Sequence, residues 1–98
     1  MKMIEDLRVK HIVAFVSHEI GKQVTAITTI GFNQDIWFDT DKNDERIEDS
    51  DYQLVAIFYY YYDENNNRVD DSGVFRWDIY HEELSYVGTT EEFGELDM

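Results

Sequence analysis

The stretch Tyr52–Tyr62, YQLVAIFYYYY, is the longest run of β-formers in the chain and holds neither a glycine nor a charge. β-Branched and aromatic side chains fit a pleated, half-buried surface, so the run predicts the central strand of a sheet. Leu54, Ala56, Phe58, Tyr60 and Tyr62 alternate with Val55, Ile57, Tyr59 and Tyr61. Both sets are apolar or aromatic, which predicts a strand covered on both faces, at least at its Leu54–Phe58 end. An acidic stretch, Asp39–Asp51, precedes the run, and a polar acidic one, Asp63–Gly73, follows it. These are expected at the two ends of the strand.

The other elements are read around this one. Residues 3–8 allow a short helix, with Glu5 and Asp6 favourable near its N-terminus. Residues 9–18 (VKHIVAFVSH) are open to two readings. Val9, Ile12, Val13, Val16 and Ile20 fit one helical face, and Gly21 suits the position after a helix. The β-branched content, and Phe15 falling off that face, favour a strand instead. That strand would make a hairpin through Glu19–Gln23 with a second strand, Val24–Phe32. The second strand would set Val24, Ala26, Thr28, Ile30 and Phe32 on one face. Residues 36–38 (IWF) form a short edge piece, and Asp35–Asp51 a loop or frayed edge. Asn65–Asn67 tolerate a left-handed turn. Val74–Tyr80 alternates Phe75, Trp77 and Ile79 against Arg76 and Asp78, as a half-exposed strand paired with Tyr52–Tyr62 would. His81 opens a last short element with an acidic tail. The fold class expected is mostly β: a single small domain, residues 1–98, with an antiparallel sheet of four or five strands and little helix. A helix over residues 4–20 would make it α+β.

Charge narrows the partners. The net charge is −14, and it is unevenly spread. Residues 1–34 hold three acids against four bases, and residues 35–98 hold the other nineteen acids against four. Such self-repulsion opposes compaction and is kept for solubility, steering or binding. It argues against nucleic acid or an anionic membrane as a direct ligand, because phosphates would be repelled. Aromatic residues make up 15% of the chain, which gives folding enough to bury and argues against disorder. With no cysteine there is no disulfide framework, thiolate nucleophile or cysteine-based zinc site. Glu5 and Asp6 interrupt the apolar stretch a signal peptide needs, and no run approaches a membrane span. The expectation is a protein of the cytoplasm.

Motifs for chemistry are weak. Asp39-Thr40-Asp41-Lys42-Asn43 begins like an EF-hand loop, but Asp44 stands where the tight-turn glycine belongs and Ser50 where the bidentate glutamate belongs. Asp63, Asn65 and Asn67 start similarly and fail at Arg68. His11, His18 and His81 have no metal-ligand spacing. Neither a nucleophile motif nor a phosphate-binding loop is present. No cofactor, metal or catalytic residue is expected, and the chain reads as a non-enzyme. Tyr59–Tyr62 reads first as a strand whose rings cover a sheet end, and second as a contact surface, since tyrosine is enriched at binding hot spots.

The acids carry the remaining signal. On an extended strand, carboxylates at i and i+2 share one face about 6.6 Å apart, which is of the order of the phosphate spacing along a strand. Asp39/Asp41 and Asp49/Asp51 have that sequence spacing. A chain of this length makes a globule about 30–35 Å across, and duplex DNA of that length carries about 18–20 phosphates. That is the scale of the nineteen acids after residue 34. Trp37, Phe38, Tyr52 and Tyr62 stand beside the acids as apolar anchors. The partner-binding array expected is Asp39, Asp41, Asp44, Glu45, Glu48, Asp49 and Asp51, extended by Asp63, Glu64, Asp70, Asp71, Glu91 and Glu92.

In size, charge, lack of cysteine and mixture of acids with aromatics, the chain resembles the small acidic DNA-mimic proteins of bacteriophages. These block host DNA-binding proteins such as restriction enzymes, CRISPR effectors, uracil-DNA glycosylase or the histone-like protein HU. The resemblance is one of composition, covers mainly residues 35–98, and transfers no functional residue. It implies an inhibitor occupying a basic DNA-binding cleft, HU-like chromosomal proteins first among its partners, often as a homodimer with two acidic faces. An exposed edge strand could supply such a dimer contact. Two other readings fit the same composition. One is an immunity-type inhibitor of a nuclease toxin, relying on a few tyrosine and aspartate hot spots. The other is an acidic, solubility-adapted domain with no basic partner.

Overall fold

A computed structural model describes residues 2–32 and 36–92, without the side chain of Phe32. Asp35 and the tail beyond Glu92 lie outside the described residues. A short 3-10 turn, Ile4–Asp6, leads into one α-helix, α1 (Val9–Ile20). Four strands follow: β1 (Val24–Phe32), β2 (Tyr52–Tyr62), β3 (Arg68–Asp78) and β4 (Glu83–Gly88). They form one antiparallel sheet in the order β1-β2-β3-β4. The architecture is mostly β, with the long aromatic strand in the interior of the sheet.

Residues 9–20 are therefore helix, and the hairpin expected between them and β1 does not form. Two terms outweigh the β propensity of Val9, Val13 and Val16. Gly21 takes the left-handed conformation (φ +72°), and its N–H donates to the Ser17 carbonyl at 3.0 Å, closing the helix end. The apolar stripe is also centred between Ile12 and Val16, both buried, rather than toward Val9, which is exposed. Phe15 flanks that stripe and meets Trp77 edge-to-face, with ring centroids 5.4 Å apart. Burial of a stripe of this kind decides helix formation more than propensity does.

The core lies between α1 and one sheet face. Val55, Ile57 and Tyr59 of β2 and Phe75 and Trp77 of β3 point into it, with Ile79 and Leu84. On β1, register shifts fall between Val24 and Ala26 and between Ile27 and Thr29. Val24, Ile27 and Ile30 thus join the core side, where strict alternation had placed Ala26 and Thr28. Such bulges cost ladder bonds but re-aim side chains. Among the described residues, the opposite face of the sheet carries no helix. Ala56 and Val74 are buried on it, whereas Leu54, Phe58 and Tyr60 are half-buried and Tyr62 is exposed. The expectation of two covered faces thus holds only on the helix side.

A buried polar tether fixes the N-terminal segment to the sheet. Gln53 is 1% exposed. Its Oε1 accepts the Ile4 N–H at 2.8 Å, and its Nε2 donates to Glu5 Oε1 at 2.9 Å. Trp77 Nε1 donates to the Lys2 carbonyl at 2.7 Å. Together they make residues 2–7 a lid over one end of the core. Gln53→Leu keeps the bulk but strands the Ile4 N–H. It should lower stability by about 1–3 kcal/mol, read as a fall in urea midpoint at unchanged m-value. An unchanged midpoint would mean that the tether contributes nothing net.

Candidate partner-binding surface

The expected acidic residues gather at the two ends of β2. Ten rises at about 3.4 Å separate Tyr52 from Tyr62 by about 34 Å. At the Tyr52 end lie the loop acids Asp39, Asp41, Asp44, Glu45, Glu48, Asp49 and Asp51, joined by Asp78, Glu82 and Glu83 of the β3–β4 turn. The loop is seated there by the Trp37–Tyr52 backbone bridge and by the Ile79 N–H on the Asp51 carbonyl. At the Tyr62 end lie Asp63 and Glu64, with Asp70 and Asp71 opposite Tyr60 and Tyr59. Glu91 and Glu92 lie on this half of the sheet, because Thr90 meets Ser72 at 3.1 Å and Ser72 pairs with Phe58. Only Asp63–Asn67 of the second acidic stretch is a turn. Arg68–Gly73 is part of β3, so Asp70 and Asp71 are strand residues.

Many of these carboxylates have local work. Asp41 Oδ1 accepts the Asn43 and Glu45 N–H groups at 2.8 and 3.0 Å, and Asp44 sits at φ +63°. Asp63 Oδ1 accepts the Asn65 and Asn67 N–H groups at 2.9 and 2.8 Å, and Asn66 sits at φ +64°. The two sites are one turn used twice, Asp-x-Asn with a left-handed fourth residue. This is the three-residue hairpin loop that ends in αL. The EF-hand-like openings are accordingly turn chemistry: Asp41, third in the first opening, and Asp63, first in the second, are directed at their own backbone. Asp78 does the same for the β3–β4 turn, accepting the Tyr80 and His81 N–H groups at 3.0 and 2.8 Å. Glu92 Oε1 accepts the Thr89 N–H and hydroxyl, both at 3.1 Å.

Residues 39–51 are thus not an extended acidic strand. Thr40 bridges Arg46, and Asp44 and Asp49 (φ +59°) both turn left-handed. The two pairs Asp39/Asp41 and Asp49/Asp51 are therefore separated by a turn at Asp44, and the second also contains the left-handed Asp49, so they do not continue one regular ladder of carboxylates about 6.6 Å apart. The chain is also longer and thinner than a 30–35 Å globule, at 51 × 26 × 22 Å.

Among the described residues three acids are paired with arginine: Asp39 with Arg76 at 2.7 Å, Asp70 with Arg68 at 3.0 Å, and Asp51 with Arg46. The first two guanidinium groups also lie on the helix-free face, Arg76 over the Tyr52 ring at 3.7 Å and Arg68 over the Tyr60 ring at 3.8 Å. Each end of the aromatic row is therefore clamped by an arginine held between a ring and a carboxylate. The acids with neither a turn nor an arginine partner among the described residues are Asp44, Glu45, Glu48, Asp49, Glu82 and Glu83 at one pole and Glu64 and Glu91 at the other, while Asp71 keeps one oxygen free beside the one that accepts the Ser72 N–H. Exposed apolar groups lie beside them: Trp37 is 44%, Phe38 48% and Tyr62 49% exposed. Asp78, Glu19 and Tyr86 were not in the expected set. Glu19 lies on α1, whose helical form the β-branched residues concealed.

His81 is the one histidine with a carboxylate partner among the described residues, its Nδ1 2.9 Å from Asp78 Oδ2. The hydrogen bond and then the charge of Asp78 raise its pKa above 6.5. Burial pushes the Asp78 carboxyl up, but the His81 N–H, the His81 ring and the Tyr80 N–H outweigh it, and the net direction is down from 3.8. The stability from Asp78 is present above 3.8 and lost as pH falls through its lower folded value. That from His81 is present below 6.5 and lost as pH rises through its higher folded value. The clamp is strongest between the two. No helix among the described residues is long and apolar enough to cross a membrane. No family model, curated protein or solved structure matches this chain.

Two outcomes check the local roles. Asp63→Ala should cost about 1 kcal/mol by removing the acceptor of two turn N–H groups, while Asp63→Asn, which keeps that oxygen, should cost far less. An equal loss in both variants would assign the effect to charge. In an NMR titration His81 should titrate above 6.5, and Asp78→Asn should bring it back toward that value.

Proposed function

We propose that this chain is a non-catalytic inhibitor that occupies the basic DNA-binding surface of a host protein in place of duplex DNA. The observation that carries the reading is the pair of acidic poles at the ends of a rigid strand about 34 Å long. One turn of duplex spans about 34–36 Å, the repeat at which dimeric DNA-binding proteins contact successive half-sites. A partner with two basic patches at that repeat would meet one pole with each. Mutual repulsion within each pole is relieved on contact, and the long-range field speeds encounter. Trp37, Phe38 and Tyr62 supply apolar anchors next to the charge. Histone-like proteins of the HU type are the first partners to test, then restriction and CRISPR components. The site of action is the bacterial cytoplasm. Two copies joined through an outer strand of the sheet, β1 or β4, would present four poles.

A second reading is favoured by the row of Tyr52, Phe58, Tyr60 and Tyr62, with Leu54 among them, on the helix-free face. An immunity-type inhibitor of a nuclease toxin would bind through a few such hot spots rather than through distributed charge.

Displacement of a labelled duplex from an HU-type protein, followed by fluorescence anisotropy, separates these readings. Under the mimic reading the chain displaces the duplex at ~100 mM salt and fails to at ~500 mM. Neutralising Asp44, Glu45, Glu48 and Asp49 to amides should weaken competition about tenfold or more, and neutralising Glu64 and Asp71 should weaken it comparably. Capture of a nuclease that survives ~500 mM salt, with the loss concentrated on Tyr52 or Tyr60, would favour the immunity reading. If no basic protein is held at either salt, the charge is a solvated surface and both readings fall.

A further inference from the structure

At the Tyr62 end of the sheet, on the helix side, the core gives way to an open groove of about 590 Å³. Its walls include Tyr59, Tyr61 and Tyr86, with Glu19 from α1 and Asp71 from β3. The groove lies where Ile20 and Lys22, at the end of α1, face Tyr59 and Tyr61 of β2, and Gly73 leaves room beside it for the Tyr86 ring. A Cβ on Gly73 would stand 2.8 Å from Tyr86 Cε1. The Tyr86 ring therefore lies directly against β3, edge-on to Phe75 at a centroid distance of 5.6 Å. Glu19 holds β4 from above, its Oε1 accepting the Tyr86 N–H at 2.9 Å.

We propose that this groove is a binding site for a slender organic cation, an alkylammonium or guanidinium group carried on an aliphatic stem. The lining gives both halves of such a site: ring faces and edges for the stem, and two carboxylates for the charged head. Tyrosine rings attract a cation through their negative faces, most strongly where water is thinned out. The protein already supplies an internal example at the rim, with Lys22 Nζ 5.7 Å from the Tyr61 ring centroid. Deeper in, Tyr59 is only 3% exposed, and its hydroxyl has no hydrogen-bond partner among the described residues. The charges that act on that hydroxyl are those of groove residues. Burial, then Asp71, Tyr61 and Tyr86, push its pKa up to about 12. It is thus a neutral acceptor and donor in the lining of the groove.

Other ligand classes fit less well. An anion would meet Glu19 and Asp71 with only Lys22 to offset them. A divalent metal ion needs several oxygens converging on one point. Glu19 Oε1 is taken by the Tyr86 N–H, and Asp71 Oδ1 by the Ser72 N–H at 2.8 Å. One oxygen of each carboxylate is left to face a cation that needs direction rather than a cage. The volume lies within the range of small-ligand sites, about 300–1,000 Å³, and suits an extended chain better than a single ion.

The cation could be a lysine or arginine side chain of a bound protein, or a free polyamine. Only the first rests on the function proposed above, so the site is tested without any protein partner. The ¹⁵N-labelled chain is titrated in separate arms with hexylammonium, spermidine, N-acetyl-lysine methylamide and N-acetyl-arginine methylamide, with 1-hexanol as the neutral match. The expected result is saturable shifts confined to the amides around Glu19, Tyr59, Asp71 and Tyr86, and none of that pattern with hexanol. Asp71 is an exposed strand residue, so Asp71→Asn should fold normally and weaken the cation about fivefold to tenfold. Tyr86→Leu keeps the bulk, removes the ring, and should weaken it similarly. Tighter binding of the lysine or arginine amide points to a protein side chain, and tighter binding of spermidine to a free polyamine. Linear shifts spread over both acidic poles, or equal binding by the wild type and both variants, would overturn the proposal. A chain that localises these cations yet never displaces duplex from a basic protein would retain the site and lose the mimic function.

Discussion

A helix of twelve residues rises about 18 Å, and the strand beneath it about 34 Å. That mismatch governs most of what is distinctive in this protein. One helix cannot cover the sheet from end to end, so the N-terminal segment has to close one end of the core. It does so through the hydrogen bonds of Gln53 and Trp77 to residues 2–5. At the other end, where the Gly21–Gln23 connection faces Tyr61 and Tyr62, a groove stays open and β2 is built of tyrosine. Tyrosine suits that place because its ring packs at the margin of a core while its hydroxyl reaches polar surroundings. The four consecutive tyrosines thus follow the boundary between covered and uncovered sheet: Tyr59 and Tyr61 on the helix side, Tyr60 and Tyr62 on the bare one.

The acidic residues divide between structure and surface in a way that net charge alone conceals. Asp41, Asp63 and Asp78 each hold a hairpin turn by accepting two of its N–H groups. Asp39 and Asp70 hold arginines flat on Tyr52 and Tyr60. A carboxylate bound by backbone N–H groups keeps its charge and gains a fixed position. The poles are therefore formed of charges on short turns rather than on flexible arms. Ordering such a surface on binding costs less conformational entropy than ordering a disordered acidic tail.

The sheet was legible because its signals are local. The apolar run of β2, the alternation of Phe75 and Trp77 with Arg76, and the asparagines at 65–67 each declare an element within a few residues. The helix was not legible for a physical reason. Its stripe of Ile12, Val16 and flanking Phe15 is apolar enough for either periodicity, and the partner that selects the helix, Trp77, lies more than sixty positions away. The β1 faces were misread because two register shifts re-aim its side chains without any glycine or proline to announce them. Of the acidic array, its grouping at the ends of β2 was legible from sequence order. The diversion of individual aspartates into turns and arginine pairs depended on contacts across the chain. The groove was hidden altogether, since it combines a helix, β2, β3 and β4.

The two connections into β2 differ greatly in length, and this bears on how the chain reaches its fold. β2 and β3 close through three residues, Glu64–Asn66, whereas β1 and β2 must close over residues 33–51. Loop-closure entropy grows with length, so the β2–β3 hairpin should form first and template the rest. The loop that carries half of the acidic array is then secured late, by the Trp37–Tyr52 and Asp51–Ile79 backbone contacts. Interactions made after the transition state affect unfolding rather than folding rates. The charge density of that loop can therefore change through mutation while the speed of folding stays nearly fixed, with the burden falling on the lifetime of the folded state.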